Sequence, residues 1–141
     1  MADYRKLKVW QKAHALTLET YAFSATLTRR KAWELRSQLL RAAISIPSNI
    51  AEGSGRGSDR DFRRFLRHSL GSTNELEYDL LLARDLGFLP ANDFEKVAGR
   101  IAEVRRMLSG FIDKLTNDAA SDGELTAIVL RAGSWQLAAW N

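Results

Sequence analysis

The sequence contains no cysteine. Disulfides, thiolate metal sites and cysteine nucleophiles are therefore excluded together, and a reducing cytoplasm is the expected compartment. Proline occurs twice, at Pro47 and Pro90, so little in the chain opposes helix formation. No apolar run approaches the ~18 residues of a membrane span, and the N-terminal stretch lacks an apolar segment followed by a small-residue cleavage site. Neither a membrane partner nor a secretory signal is expected. Histidine is as scarce, with His14 and His68 alone. Gln11 and Phe65 stand three residues before them, so the paired Glu-x-x-His motif of di-metal carboxylate bundles is missing. His14, near Trp10 and Tyr21, reads as a partly buried structural residue, and His68 as surface. The stretch Gly53-Ser54-Gly55-Arg56-Gly57-Ser58 lacks the Gly-Lys-Ser/Thr ending of a phosphate-cradling loop, and no Gly-x-Ser-x-Gly occurs. No catalytic set can be assembled. A protein without enzymatic activity, metal or cofactor is the expectation.

What the chain does have is helical periodicity. Its 141 residues, 45% hydrophobic and 27% charged, suit one globular domain with a real core. Val9, Ala13, Leu16, Thr20, Phe23 and Leu27 step by four and three, which predicts a helix over residues 7–27. Leu35, Leu39, Ala42, Ile46 and Ile50 predict a second helix over residues 32–52, bent or cut short by Pro47 and stopped by Gly53. Phe62, Phe65, Leu66, Ser69, Thr73, Leu76, Leu80 and Ala83 mark a third, opened by Ser58 with Asp61 and ended at Gly87. Gly71 inside it points to close approach of a neighbouring helix or to simple surface tolerance. Val97, Ile101, Val104, Leu108, Phe111 and Leu115 mark a fourth after Pro90, with Asn92 as cap and Glu95 as its partner. Four amphipathic helices with short links predict an all-α, antiparallel up-down-up-down four-helix bundle. It occupies residues 1–116. Residues 117–141 form an extension, a linker over 117–123 followed by a short apolar tail with Trp135 and Trp140. That extension reads either as an appendage on the bundle or as a docking peptide.

The second helix carries a further apolar stripe, Leu40, Ile44 and Ala51, on a side away from its core face. A helix with two apolar stripes needs two sets of neighbours, so these three residues are the candidate oligomer interface. Its polar flank holds Gln38, Arg41, Ser45, Asn49 and Glu52. With Ser72 and Glu75 of the third helix these are expected to form a structural network that fixes register.

Charge is divided along the chain. Residues 1–70 hold 14 Lys/Arg against 6 Asp/Glu, a net of +8, and residues 71–141 hold 7 against 11, a net of −4. Arg56, Arg60, Arg63, Arg64 and Arg67 place five guanidinium groups around the start of the third helix, and Arg29, Arg30 and Lys31 form a second cluster at the first interhelix turn. Guanidinium forks suit phosphate, so these eight residues are the candidate nucleic-acid contacts. No aromatic platform accompanies the arginines, and base stacking is not indicated. An acidic protein partner fits the same surface.

The run Ser37-Gln38-Leu39-Leu40-Arg41-Ala42-Ala43-Ile44-Ser45-Ile46-Pro47-Ser48-Asn49-Ile50-Ala51-Glu52-Gly53 closely resembles the signature of the four helix bundle proteins related to the 23S rRNA intervening-sequence protein. Phe65-Leu66, Gly71-Ser72 and Glu75-Leu76-Glu77 resemble its second block, and Trp10, Ala13 and Tyr21 its opening helix. The resemblance covers residues 4–116. It implies an antiparallel bundle assembled as a ring-like homo-oligomer, a homopentamer in members of known structure. With the missing catalytic set, it points to a non-enzymatic scaffold, and it implies RNA, DNA, or a nucleoprotein or reverse-transcriptase complex as partner. The chain departs from the family at Arg29-Arg30-Lys31-Ala32, where a Phe-Pro-containing segment is usual, and in the tail, which has no family counterpart.

Overall fold

The computed structural model describes the backbone of residues 3–28 and 30–138, and the side chains of residues 3–28 and 30–123. Among the described residues it is all-α. A 3-10 turn, Tyr4–Lys6, precedes four helices: α1 Lys8–Ser24, α2 Arg30–Ser54, α3 Asp59–Asp85 and α4 Ala91–Ala138.

The apolar seams meet in one core. Val9, Ala13 and Leu16 of α1, Leu35, Leu39, Ile46 and Ile50 of α2, Leu66, Leu76 and Leu80 of α3, and Val97, Ile101, Val104 and Leu108 of α4 are all buried within it. On α4 the buried line turns to Ile112, leaving Phe111 and Leu115 half-buried at its edge. Each core helix therefore buries one stripe and solvates the other, as its spacing dictates.

Pro47 neither ends nor shortens α2, which runs on to Ser54 with Pro47 buried. A proline leaves the carbonyl four residues earlier without its helical donor; here that carbonyl belongs to Ala43. The Thr17 hydroxyl of α1 lies 2.9 Å from the Ala43 oxygen and 2.9 Å from the Ala13 oxygen, so its single proton is shared between its own helix and the gap in α2. The helix survives because its neighbour supplies the missing donor.

Gly53 is likewise no stop signal. It lies inside α2 and is buried. A Cβ there would stand 2.6 Å from the Cβ of Phe65 and 3.1 Å from a ring carbon of Phe62. Its role is to let α3 cross α2 at close range. Gly71, by contrast, has nothing within 4 Å of a would-be Cβ, so within this chain it is surface.

The helix ends follow local chemistry. Ser58 accepts from the Asp61 amide at 3.2 Å and caps α3 as its sequence indicates. Gly87 takes φ +79°, and the bonds from Phe88 N to the Ala83 carbonyl and from Gly87 N to the Arg84 carbonyl close the helix, the Schellman arrangement that a left-handed glycine permits. Asn92 does not cap α4. That helix starts one residue earlier, at Ala91, and the Pro90 carbonyl already receives the Phe94 amide. Residues 117–123, expected as a linker, are helical and continuous with α4. Ala119, Ala120 and the unbroken turn before them carry the helix through their polar neighbours.

Candidate nucleic-acid interface

The α2–α3 connection positions the main basic cluster. Because Gly53 admits Phe65 so closely, the Phe65 side chain sits against the end of α2, half-buried. The guanidinium of Arg56 lies 4.9 Å from its ring centroid and that of Arg64 lies 5.1 Å from it. His68 approaches the same ring at 6.1 Å. An aromatic ring thus does accompany this face, contrary to the reading of the sequence. Phe65 was assigned to the buried line of α3, and only the near contact at Gly53 brings the turn arginine back over it. The ring holds cations by its quadrupole, and with two guanidiniums over it, it orients arginines rather than offering a surface for a base.

The five arginines do not act alike. Arg60, Arg64 and Arg67 are exposed; their spacing of four and three residues keeps them on one face of α3, about 6 and 4.5 Å apart along the axis. None of the three has an ion-pair partner among the described residues. Arg56 is exposed but already paired with Glu52 at 2.7 Å. Arg63 turns away and donates to the Leu115 carbonyl of α4 at 3.0 Å. It ties two helices together at the edge of the cluster. Asp59 and Asp61 occupy the first turn of α3 and meet the positive end of its dipole.

The second cluster lies at the start of α2. Arg30 and Lys31 are exposed in its first turn, where cations oppose the helix dipole and no acidic residue offsets them. Arg29 lies outside the described residues. Trp33, 58% exposed, was not singled out from the sequence. The Arg36 guanidinium stands 5.5 Å from its ring centroid and donates to the Ser24 carbonyl at 3.1 Å.

The polar flank of α2 is brought together in part. Ser45 and Ser72 share a 2.8 Å hydrogen bond, and Asn49 donates to the Ser45 carbonyl and hydroxyl at 2.8 and 3.0 Å. Ser69 adds a bond to the Ile46 carbonyl at 2.9 Å. Glu52 goes to Arg56 instead, and Gln38, Arg41 and Glu75 are exposed without a hydrogen bond to this group. The unforeseen member of this face is Asp79. It is only 9% exposed, and its Oδ2 has no hydrogen-bond partner among the described residues. Burial, with the Glu75 carboxylate one turn away adding to it, pushes its pKa up to about 6.

On the other flank of α2, Leu40 and Ala51 are half-buried and Ile44 is 41% exposed. A shallow groove of about 300 Å³ runs beside Ile44, Pro47 and Ala51 to Trp10 and His14 of α1. His14 is exposed rather than partly buried, lying flat against Trp10 with ring centroids 4.9 Å apart and planes 9° apart. Among the described residues, no group of three or more Asp, Glu or His is placed to hold a metal ion, and no helix is long and apolar enough to cross a membrane.

This arrangement, an α2 with a Ser-Ile-Pro-Ser-Asn-Ile-Ala-Glu-Gly segment packed through glycine on an arginine-bearing α3, matches a family model over residues 5–110, that of the 23S rRNA-intervening sequence protein. The chain belongs to this family. A solved structure from Bacteroides thetaiotaomicron, described as a protein of unknown function from the S23 ribosomal protein family, superposes with a TM-score of 0.70 at 25% sequence identity. The match covers 74% of this chain and 97% of that one. Comparison with curated proteins gives no match. The family match ends before residue 117, so the distal part of α4 lies beyond the shared region.

Proposed function

We propose that the chain is a non-enzymatic, cytoplasmic scaffold that assembles as a ring-like homo-oligomer of five copies and binds the phosphate backbone of nucleic acid, RNA foremost, through α3. The contacts between neighbouring helices support an up-down-up-down bundle. Thr17 meets Ala43 while Ser24 meets Arg36, and Ser45 meets Ser72 while Ile46 meets Ser69. In both pairs the numbers rise on one helix as they fall on the other. The buried hydroxyls of Thr17, Thr20, Ser24, Ser69 and Thr73 are all committed to helix carbonyls, which fits a structural role better than a nucleophilic one. Assembly is supported by the uncovered apolar residues on α1 and α2, Tyr21, Trp33 and Ile44 among them.

The observation that carries the nucleic-acid reading is the exposed row Arg60, Arg64 and Arg67, none of them with an acidic partner among the described residues, beside the Phe65 ring that holds Arg64 and Arg56 in place. Guanidiniums at this pitch meet successive phosphates without reading bases, so binding is tolerant of sequence and steeply dependent on salt. Fluorescence anisotropy with a short RNA and a short duplex DNA across a salt series tests this. Changing Arg60, Arg64 and Arg67 to Gln weakens binding to every sequence and flattens the salt slope by about 0.7–0.9 for each phosphate no longer neutralised. Arg63→Gln, which removes a helix tie instead, leaves the slope in place. No binding by the parent protein at low salt overturns the reading and favours a ring that meets an acidic protein.

A further inference from the structure

Trp33 stands 58% exposed in the opening turn of α2. An indole left in water forfeits one of the largest burials a side chain offers, and the core does not call for it. Ala32 and Leu35 beside it in sequence supply the buried face. Its surroundings are cationic. Arg30 and Arg36 lie three residues before and after it, so both share its side of the helix, and Lys31 adds a third positive charge. Glu34 is the one acidic side chain between residues 30 and 40. The first turn of α2 holds no acidic residue, and Arg30, Lys31 and Glu34 form no ion pair among the described residues.

The ring is also held. The Arg36 guanidinium stands 5.5 Å from its centroid and donates to the Ser24 carbonyl at 3.1 Å, so α1 fixes the arginine and the arginine fixes the indole. Phe65 is different, because the guanidiniums of Arg56 and Arg64 both occupy it. Trp33 has one such neighbour, and among the described residues no second cation and no ring lies against it. An anchored indole therefore keeps a face open to solvent, with Arg30 and Lys31 close by. A second copy of the chain fits this patch poorly. Interface cores are depleted in charge, and a copy presenting the same patch would set cation against cation. Ile44 lies eleven residues on, about 16 Å along the helix, so assembly through Ile44 leaves Trp33 accessible.

We propose that Trp33 is a stacking platform for an unpaired base of a single-stranded nucleic acid, with Arg30 and Lys31 neutralising the phosphates that flank that base. An aromatic face accepts any base that is free of its partner strand, and cations beside it track the backbone. This rests on the nucleic-acid reading above and deepens it. The arginine row of α3 meets phosphates of any form, whereas Trp33 distinguishes single strands from duplexes.

Two short strands of equal length and charge separate stacking from electrostatics: an oligothymidylate and an abasic strand with the same backbone. Fluorescence anisotropy at low salt reads both, with a duplex of the same length as the third ligand. Alanine at this exposed helical position leaves the fold intact. The parent protein binds the thymidylate strand more tightly than the abasic one. Trp33→Ala erases that difference, lowering affinity for thymidylate about ten- to a hundredfold, and leaves the abasic strand and the duplex unchanged. Trp33→Phe keeps most of the preference. Arg30→Gln with Lys31→Gln flattens the salt slope for the single strands by about 0.7 for each phosphate no longer neutralised. A Trp33→Ala variant that weakens all three ligands alike, or weakens none, overturns the platform and leaves the reading of Arg60, Arg64 and Arg67 standing. Dissociation of the oligomer by Trp33→Ala, seen in sedimentation velocity, makes the patch a contact between copies and overturns the platform as well. A parent protein that binds none of the three ligands overturns both readings.

Discussion

Two glycines inside helices offer a test in which the packing reverses the sign of one substitution. In an open helical position, Gly→Ala stabilises by about 1 kcal/mol, because alanine loses less backbone freedom on folding. Gly71 is such a position, with nothing within 4 Å of a new Cβ. Gly53 is not. Its Cβ would meet the Phe65 Cβ at 2.6 Å, about 1 Å inside the optimal carbon–carbon separation of 3.5–4.0 Å. The obstacle is the root of a side chain, so it moves only if α3 moves. Overpacking of this kind costs about 1–3 kcal/mol, and subtracting the propensity gain leaves a net loss of about 0–2 kcal/mol. At roughly 3 °C per kcal/mol for a chain of this size, Gly71→Ala raises the melting temperature by about 3 °C, whereas Gly53→Ala gives no rise and lowers it by up to about 6 °C. Thermal denaturation followed by circular dichroism at one fixed protein concentration reads both, since assembly shifts apparent stability with concentration. A rise for Gly53→Ala comparable with that for Gly71→Ala would refute the close α2–α3 crossing. With it would go the reason why Arg56 reaches Phe65.

Leu108 is fully buried on α4, so Leu108→Ala costs about 2–5 kcal/mol; a melting temperature unchanged within a degree or two in the same assay removes that face from the core. Asp79 adds a pH dependence to the chain's stability. Its folded pKa, about 6, lies above the ordinary aspartate value of 3.8, so between these values the folded state holds a proton that the unfolded state has released. The stability Asp79 contributes is fully present below pH 3.8 and is lost as pH rises through 6, by on the order of 2–3 kcal/mol at about 1.4 kcal/mol per unit. Urea titrations of the chain at one fixed protein concentration and pH 4, 5, 6 and 7, with and without Asp79→Asn, check this; a slope in that window that survives Asp79→Asn assigns it to another group.

The sequence made the helices legible wherever spacing alone decides burial. Val97, Ile101, Val104 and Leu108 repeat at four and three without interruption, and the seam they draw is the one that is buried. Ser58 could be read as a cap because its contact is local, three residues away. Gly53 as a stop, and Pro47 as an early end of α2, are overturned because each residue has two roles that look alike in one dimension. A glycine near a helix end serves equally as a left-handed terminator or as a crossing point, and only the position of Phe65 distinguishes them. A proline ends a helix unless some other element supplies the missing donor, and Thr17 is twenty-six residues from the carbonyl it serves. Asp79 escaped notice for the same reason. An aspartate in a run with Glu75 and Glu77 reads as solvated surface, while its burial depends on how the helices pack around it. In the basic cluster, the arginines could be picked out from spacing, but Arg63's commitment to the Leu115 carbonyl depends on where α4 lies.

The shared proton of Thr17 also works as a check on how the chain threads. Because Pro47 leaves the Ala43 carbonyl bare, α2 by itself is a helix with a defect, and only α1 docked at one height repairs it. Sliding α1 by one turn, about 5.4 Å, would bring Ala13 or Tyr21 to that height in place of Thr17. The apolar seams, made mostly of interchangeable Ala, Leu and Ile, would tolerate such a slip with little protest. The carbonyl would not, at about 1–3 kcal/mol for a buried acceptor left without a donor. A proline that looks like a fault in the helix thus rejects mispaired folds, and the fidelity of the α1–α2 pairing rests on one hydroxyl.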